Sequence, residues 1–163
     1  MKKIVLIFNV LIIADFTIAQ SIRAYNWDFK NGSEAQVEKI FEQYFNRERK
    51  SGSAILQRVR FLDNVTHRIL ITGDPANWGS KEEITDVEWN AFLRGMWMHQ
   101  KSRAPGSYTG KSLAWIEGDR EKNNVGQIWI MKVADSKKYL KAQNNFIKQV
   151  ADILGDRSIG FGK

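Results

Sequence analysis

Apolar residues recur at helical spacing in three separate segments of the chain, and the segments between them alternate as β-strands do. The first helix is predicted to follow Ser33, a residue type that favours the N-cap, and the second to run over 81–100. The third is predicted to begin near Ser136 and to end before Gly155, since glycine favours the position after a helix. The predicted core-facing residues of the first helix are Val37, Ile40, Phe41, Tyr44 and Phe45, and those of the second are Trp89, Phe92, Leu93, Met96 and Trp97. Those of the third are Tyr139, Leu140, Gln143, Phe146, Ile147, Val150 and Leu154.

The predicted strands complete the order β-α-β-β-α-β-β-α-β, which is typical of an α+β fold with helices on one face of a mostly antiparallel sheet. Two pairs of strands follow one another closely enough to form hairpins, and 103–110 is predicted as a loop. The layout of 22–45 is similar to that of 128–150, which raises the hypothesis of an internal β-α-β repeat. The predicted strands are 22–29, 53–62, 67–72, 113–117, 127–133 and 159–161.

The first nineteen residues have the pattern of an export signal, with Lys2 and Lys3 ahead of the apolar run 4–14 and a small residue at Ala19. The run is shorter than the ~20 apolar residues that a membrane-spanning helix needs. We therefore expect residues 1–19 to be removed and 20–163 to form a single α+β domain that is secreted or periplasmic and does not span a membrane.

The chain has a formal net charge of +7, and basic residues are interleaved with acidic ones along its length. Removal of 1–19 takes away two lysines and Asp15, so 23 basic and 17 acidic residues leave a charge of +6. An exported protein rarely meets nucleic acid, so we expect no nucleic-acid partner and a mild preference for anionic partners such as envelope lipids. With no cysteine and only two histidines, neither a metal site nor a bound cofactor is predicted.

The pattern of the chain resembles the dimeric α/β-barrel group of ferredoxin-like domains. The resemblance rests on the segments IRAYNWDF, EAQVEKIFEQYF, SAILQRVRFL with HRILIT, and QIWIMKVADSKKYLKAQNNFIKQ. It implies a homodimer or an internal repeat that pairs two sheets, and a pocket between sheet and helices that binds or oxidises aromatic compounds. Some members cleave haem with an asparagine, a tryptophan and a histidine, residue types that occur here at Asn26, Trp89 or Trp97, and His99.

Three tryptophans are the predicted aromatic wall of a ligand pocket. Trp78 lies in a glycine- and proline-containing turn where core packing explains it poorly, and Trp89 and Trp97 are two turns apart on the second helix. Arg58 and Arg60 are predicted to share one face of a strand, where a pair of guanidinium groups could bind a carboxylate or phosphate.

Two histidines are the candidates for a general base, because histidine titrates near neutral pH. His67 is expected at the exposed end of a hairpin, and His99 at the end of the second helix, in a basic stretch with Lys101 and Arg103. The leading hypothesis is an exported protein that binds a small apolar or aromatic molecule. The alternatives are a cofactor-independent monooxygenase-like or isomerase-like enzyme with His99 or His67 as base, and a structural envelope protein. Asn26 is a further candidate catalytic residue.

Overall fold

The computed structural model describes residues 21–116, 118–119, 122–123 and 125–163, so the predicted export signal lies outside the described residues. Strands and helices alternate along the chain, and the predicted α+β class is confirmed. The elements are β1 (Ser21–Phe29), α1 (Glu34–Phe45), β2 (Ala54–Arg58), β3 (His67–Gly73), α2 (Asp86–His99), β4 (Gln100–Ser102), β5 (Tyr108–Ile116), α3 (Ser136–Leu154) and β6 (Ile159–Gly162), with a short 3-10 helix at Pro75–Asn77.

Strand β1 is the centre of an antiparallel sheet with the order β2-β3-β1-β5-β6. Strand β4 pairs with the end of β1 on the same side as β5. The predicted hairpin of β2 and β3 is confirmed. The register places Arg23 between Ile71 and Thr109, and Trp27 opposite His67. Arg23 therefore lies near one end of β3, and Trp27 lies near the other end.

Helices α1 and α2 pack on each other and enclose the apolar core with the sheet. Val37 and Met96 are fully buried between these elements, and Phe29 covers them from the end of β1. The predicted stripe of α1 is confirmed, because all five of its apolar residues belong to this core or pack against it. The buried members of the core are Phe29, Val37, Phe41, Ile69, Phe92 and Met96.

Helix α2 begins at Asp86, later than the predicted start at residue 81. The N-cap is Thr85, whose hydroxyl accepts a hydrogen bond from the Glu88 amide over 3.2 Å. The Glu88 carboxylate in turn accepts from the Thr85 amide over 2.9 Å, which completes a capping box. The predicted start was wrong because residues 81–84 precede this cap and lie outside the helix.

The prediction of a strand at 127–133 is wrong, since this segment has no regular secondary structure. Strand β5 begins at Tyr108, inside the predicted loop, and pairs with β1 at one end and β6 at the other. The part of β5 that was expected to pair with 127–133 pairs with β6 instead, and the apolar side chains of Trp129 and Ile130 are exposed. The hypothesis of an internal repeat is not confirmed, because its second unit lacks a strand.

Helix α3 has the predicted bounds, and Gly155 follows it with a positive φ of 59°. It lies beside β5 and β6, away from the core formed by α1 and α2. Ile147 is its one buried residue, whereas Phe146 is 47% exposed. The expectation that Phe146 is a core residue was therefore wrong. Within the described ranges, no helix is both long and apolar enough to cross a bilayer.

Candidate functional site

Trp78 is held at the end of a hydrogen-bonded turn between β3 and α2. Asp74 caps the 3-10 helix by accepting from the Ala76 amide over 3.0 Å and from the Asn77 side chain over 2.8 Å. Ser51 joins this turn to the segment before β2, because its hydroxyl donates to the Asn77 carbonyl and accepts from the Asp74 amide. The backbone on both sides of Trp78 is thus fixed by side-chain contacts rather than by core packing.

Arg49 lies against the same turn on the neighbouring segment. A β-bridge pairs it with Ser80, and the flanking Lys50 amide donates to the Gly79 carbonyl over 3.0 Å. The guanidinium carbon of Arg49 is 5.8 Å from the centre of the Trp78 ring. Arg23, on β1, brings a second guanidinium carbon to 4.6 Å from that ring. Both distances fall within the range of a cation–π contact.

The side chain of Arg49 has two buried donors, Nε and Nη2, that have no hydrogen-bond partner among the described residues. These atoms form one edge of the guanidinium, the edge that can bind both oxygens of a carboxylate or phosphate. Burial lowers the pKa of Arg49 below its usual value. Among the described residues no carboxylate forms an ion pair with Arg49 or Arg23. We call Arg23, Arg49 and Trp78 the arginine–tryptophan site.

A surface depression of about 300 Å³ lies at the same end of the sheet. It is lined by Thr109, the cross-strand neighbour of Arg23, and by two cationic residues, Lys111 and Lys163. Its volume is at the lower end of the range of ligand pockets. The alternation of the strands puts Ser21, Arg23, Thr109 and Lys111 on one face, so the depression extends the positive surface that begins at the arginines.

The structure does not bring the three predicted wall tryptophans together. The Trp89 ring packs 5.5 Å from Tyr44 and 5.4 Å from Phe92, on the outer side of the helix pair. Trp97 is 55% exposed further along α2. No ring contact joins either of them to Trp78 within the described part of the chain. A second depression, of about 360 Å³, is lined by Phe41, Glu42, Phe45 and Asn46 and by none of the tryptophans.

The predicted arginine pair occupies the hairpin between β2 and β3. Strand β2 ends at Arg58, so Arg60 lies in the loop beyond it, and both side chains are exposed. The predicted common strand face therefore stops before Arg60. Arg58 is opposite His67, at the far end of β3 from the arginine–tryptophan site.

His67 is buried, contrary to the expectation of an exposed hairpin end. Its ring lies 5.3 Å from the Phe29 ring, and its Nδ1 is 3.0 Å from the Thr66 hydroxyl. Burial, followed by the charge of Arg58, lowers the pKa of His67, which favours the neutral imidazole. The prediction failed because Phe29 comes from a distant part of the sequence. His99 is half-buried at the last turn of α2, and its carbonyl accepts from the Lys30 amide.

Asn26 links β1 to the loop before β5. Its side-chain NH₂ donates to the Pro105 carbonyl over 2.9 Å, and its oxygen accepts from Nε of Arg68 over 2.8 Å. The Asn26 amide donates to the Ser107 hydroxyl over 3.0 Å, and the Arg68 guanidinium carbon is 5.6 Å from the Tyr108 ring centre. These bonds hold the loop on the sheet, and the side chain of Asn26 is used for them rather than for a contact with His99, Trp89 or Trp97.

Sequence reasoning missed Arg23 and Arg49 as members of a site, although it singled out Trp78. Arg23 was assigned to a strand face, and Arg49 stood in a mixed-charge stretch that resembles a solvated surface. The sequence contains no signal for this role of Arg49, because only the tertiary structure shows that no described carboxylate pairs with it. Within the described ranges there is no cluster of three or more potential metal ligands.

No protein-family model matches the chain, and no curated protein or solved structure matches it either.

Proposed function

We propose that this protein is an exported binding protein for a small aromatic molecule that carries an anionic group, and that the ligand binds at the arginine–tryptophan site. The observation that carries the proposal is the pair of buried guanidinium donors on Arg49 that have no partner. A buried, unpaired donor costs ~1–3 kcal/mol, and more when it belongs to a charged group. A carboxylate or phosphate would supply both missing acceptors once a movement of the side chain exposes these atoms, which are solvent-inaccessible in the free protein.

The neighbouring residues support an anion as the charged part of the ligand. Arg23 adds a second cation beside the same indole ring, and Lys111 and Lys163 line the adjoining depression. The side chains of Arg23, Lys111 and Lys163 are exposed, so salt screens their attraction for an anion. Binding is therefore expected to weaken as salt concentration rises.

Trp78 supports an aromatic ring as the apolar part of the ligand. The indole is half-buried in a turn whose backbone is fixed by Asp74 and Ser51, so little side-chain freedom is lost when a ring packs against it. Flat ligands interact with tryptophan through contact area and offset stacking. The adjoining depression has room for a molecule of a few rings.

The same proposal assigns the domain to the ferredoxin-like, dimeric α/β-barrel type. The strand order β2-β3-β1-β5, with α1 and α2 on one face, supports this assignment. Export through cleavage near residue 20 and formation of a homodimer are parts of the proposal that follow from the sequence pattern. Amino-terminal sequencing of the exported protein and its mass in solution test them separately.

A fluorescence titration tests the ligand site directly. Naphthoate and benzoate derivatives are compared with their neutral amides, which match them in ring size and lack only the charge. We expect the acids to quench tryptophan emission in a saturable way. The amides should have a dissociation constant at least about tenfold higher. Replacement of Trp78 by Leu should weaken the binding of the acid by ~1–3 kcal/mol.

Arg49→Gln and Arg94→Gln form a matched pair for the same titration. Arg94 is exposed on α2, so its loss changes the net charge by the same amount outside the site. Binding should fall in Arg49→Gln and stay close to wild type in Arg94→Gln. Equal losses in the two variants would indicate a general charge effect, and equal affinity for acids and amides would contradict the anionic part of the proposal.

A further inference from the structure

The tip of the β2–β3 hairpin exposes two large apolar side chains next to each other. Phe61 is 104% exposed and Leu62 is 46% exposed. Val65, three residues further on, is 4% exposed, so the hairpin has an apolar position that is buried. Single exposed apolar residues are ordinary, but an adjacent pair at the end of a hairpin is a candidate contact surface.

The backbone at this tip adopts the left-handed conformation at two residues that are not glycine. Phe61 has a φ of 64° and Asn64 a φ of 56°. Asparagine tolerates the left-handed region and closes the turn in which the Val65 amide donates to the Leu62 carbonyl. An aromatic residue does not favour this region, and such strain is concentrated at functional sites.

Basic residues lie beside the exposed pair. Arg58 and Arg60 are exposed on the strand side of the tip, and Asp63 is exposed on the turn. The tip therefore carries two positive charges and one negative charge. Aromatic and leucine side chains enter the boundary between lipid headgroups and acyl chains, and neighbouring arginines interact with anionic headgroups.

We propose that the tip formed by residues 58–63 binds to the surface of an anionic lipid bilayer, with Phe61 and Leu62 inserted at the headgroup boundary. Arg58 and Arg60 then contact the anionic headgroups. The formal charge of +6 that remains after removal of residues 1–19 adds a long-range attraction to the same surface. This inference is independent of the ligand proposal, because neither Phe61 nor Leu62 belongs to the arginine–tryptophan site.

The register of the sheet makes the two surfaces compatible. Arg58 lies opposite His67 at the start of β3, whereas Arg23 lies opposite Ile71 near its end. Four residues separate these positions along β3, which corresponds to about 13 Å. A protein bound to a membrane through the hairpin tip therefore keeps the arginine–tryptophan site away from the contact.

A local fluorescent reporter tests the proposal on the full chain. The protein has no cysteine, so Leu62→Cys provides a single site for an environment-sensitive dye at the tip, next to an intact Phe61. Val87→Cys, at a 78% exposed position on α2, provides the matched control. Vesicles of phosphatidylglycerol with phosphatidylcholine are compared with vesicles of phosphatidylcholine alone.

We expect a blue shift of the dye at position 62 with the anionic vesicles and none at position 87. Adding Phe61→Ser should raise the lipid concentration that gives half of the maximal blue shift by about tenfold, because one large apolar side chain no longer enters the bilayer. Adding Arg58→Gln and Arg60→Gln should raise it by about tenfold or more, since each basic residue near the surface contributes separately.

Three results would overturn the inference. One is the absence of a shift at position 62, and another is an equal shift at position 87, which indicates adsorption of the whole chain or of another segment. The third is loss of the shift in Trp129→Ser with Ile130→Ser, a pair that removes exposed apolar side chains elsewhere, while Phe61→Ser has no effect. Circular dichroism of each variant verifies that its fold is unchanged.

Discussion

Arg47 donates a hydrogen bond from Nη2 to Oε1 of Glu88 over 2.6 Å, and this ion pair joins the residues after α1 to the first turn of α2. The other carboxylate oxygen of Glu88 accepts from the amide and the hydroxyl of Thr85, each over 2.9 Å. The hydrogen bond from Arg47, followed by those from Thr85, lowers the pKa of Glu88 from 4.5 to about 2. One carboxylate therefore caps α2 and fixes it to α1.

The low pKa of Glu88 predicts a specific loss of stability in acid. Its contribution is complete above pH 4.5 and is lost as the pH falls from 4.5 to about 2, because the unfolded chain takes up the proton first. In Glu88→Gln the unfolding free energy should be lower than that of wild type at pH 7 and should change less over this interval. Urea unfolding at several pH values measures both effects.

Glu38→Gln is the control for this prediction. Glu38 is exposed on α1 and forms no ion pair with another described residue, so its replacement should change the unfolding free energy by less than about 0.5 kcal/mol. If Glu88→Gln had the same pH dependence as wild type, the Arg47–Glu88 pair would not be a source of acid sensitivity.

Phe41 and Phe146 occupy similar places in the helical patterns of α1 and α3, but their burial differs. Phe41 is 9% exposed in the core and Phe146 is 47% exposed. Phe41→Ala should lower the unfolding free energy by ~3–5 kcal/mol, whereas Phe146→Ala should lower it by about 1 kcal/mol or less. Chemical denaturation compares the two variants, and equal losses would contradict the peripheral position of α3.

The sequence predicted the elements whose partners lie close by in the chain. Val37, Phe41 and Phe45 follow the helical period, and the β2–β3 hairpin joins two strands that are separated only by residues 59–66. The segment 127–133 has a strand-like composition, yet strand formation also requires a free edge at the correct place. That requirement depends on the pairing of β5 with both β1 and β6, which local pattern does not contain.

The candidate site was predictable to a smaller extent. Trp78 was indicated by its turn, because a large aromatic residue outside the core needs another explanation. Arg49 and Arg23 are 26 residues apart in the sequence, and their common contact with Trp78 exists only after the sheet and its connecting loops form. The unpaired state of the Arg49 donors is likewise a property of the folded chain.

Gly52 supports the segment that carries Arg49. It has a φ of 66°, and a Cβ atom at this position would overlap the backbone of Thr72 and Gly73. Gly32 has a φ of 81° and open space around it, so it is a matched control. Gly32→Ala should lower the unfolding free energy by ~1 kcal/mol through backbone strain alone. Gly52→Ala should have a larger effect in a thermal or urea melt, and equal effects would contradict the close approach.

The last prediction separates binding from stability at Arg49. Replacing it by Met keeps an unbranched apolar chain and removes the two buried donors that have no partner. The unfolding free energy should stay unchanged or rise by about 1 kcal/mol, because the desolvation cost of these donors disappears. Binding of the aromatic acids should be lost in the same variant.

Arg23→Met is the comparison for this variant. Arg23 is exposed and none of its guanidinium atoms is buried without a partner, so its replacement should weaken binding without raising the unfolding free energy. Urea unfolding gives the unfolding free energy of each variant, and fluorescence titration gives its affinity for the aromatic acids. A large loss of stability in Arg49→Met would mean that its guanidinium is a structural group, since a residue retained for a ligand is expected to cost stability in the free protein.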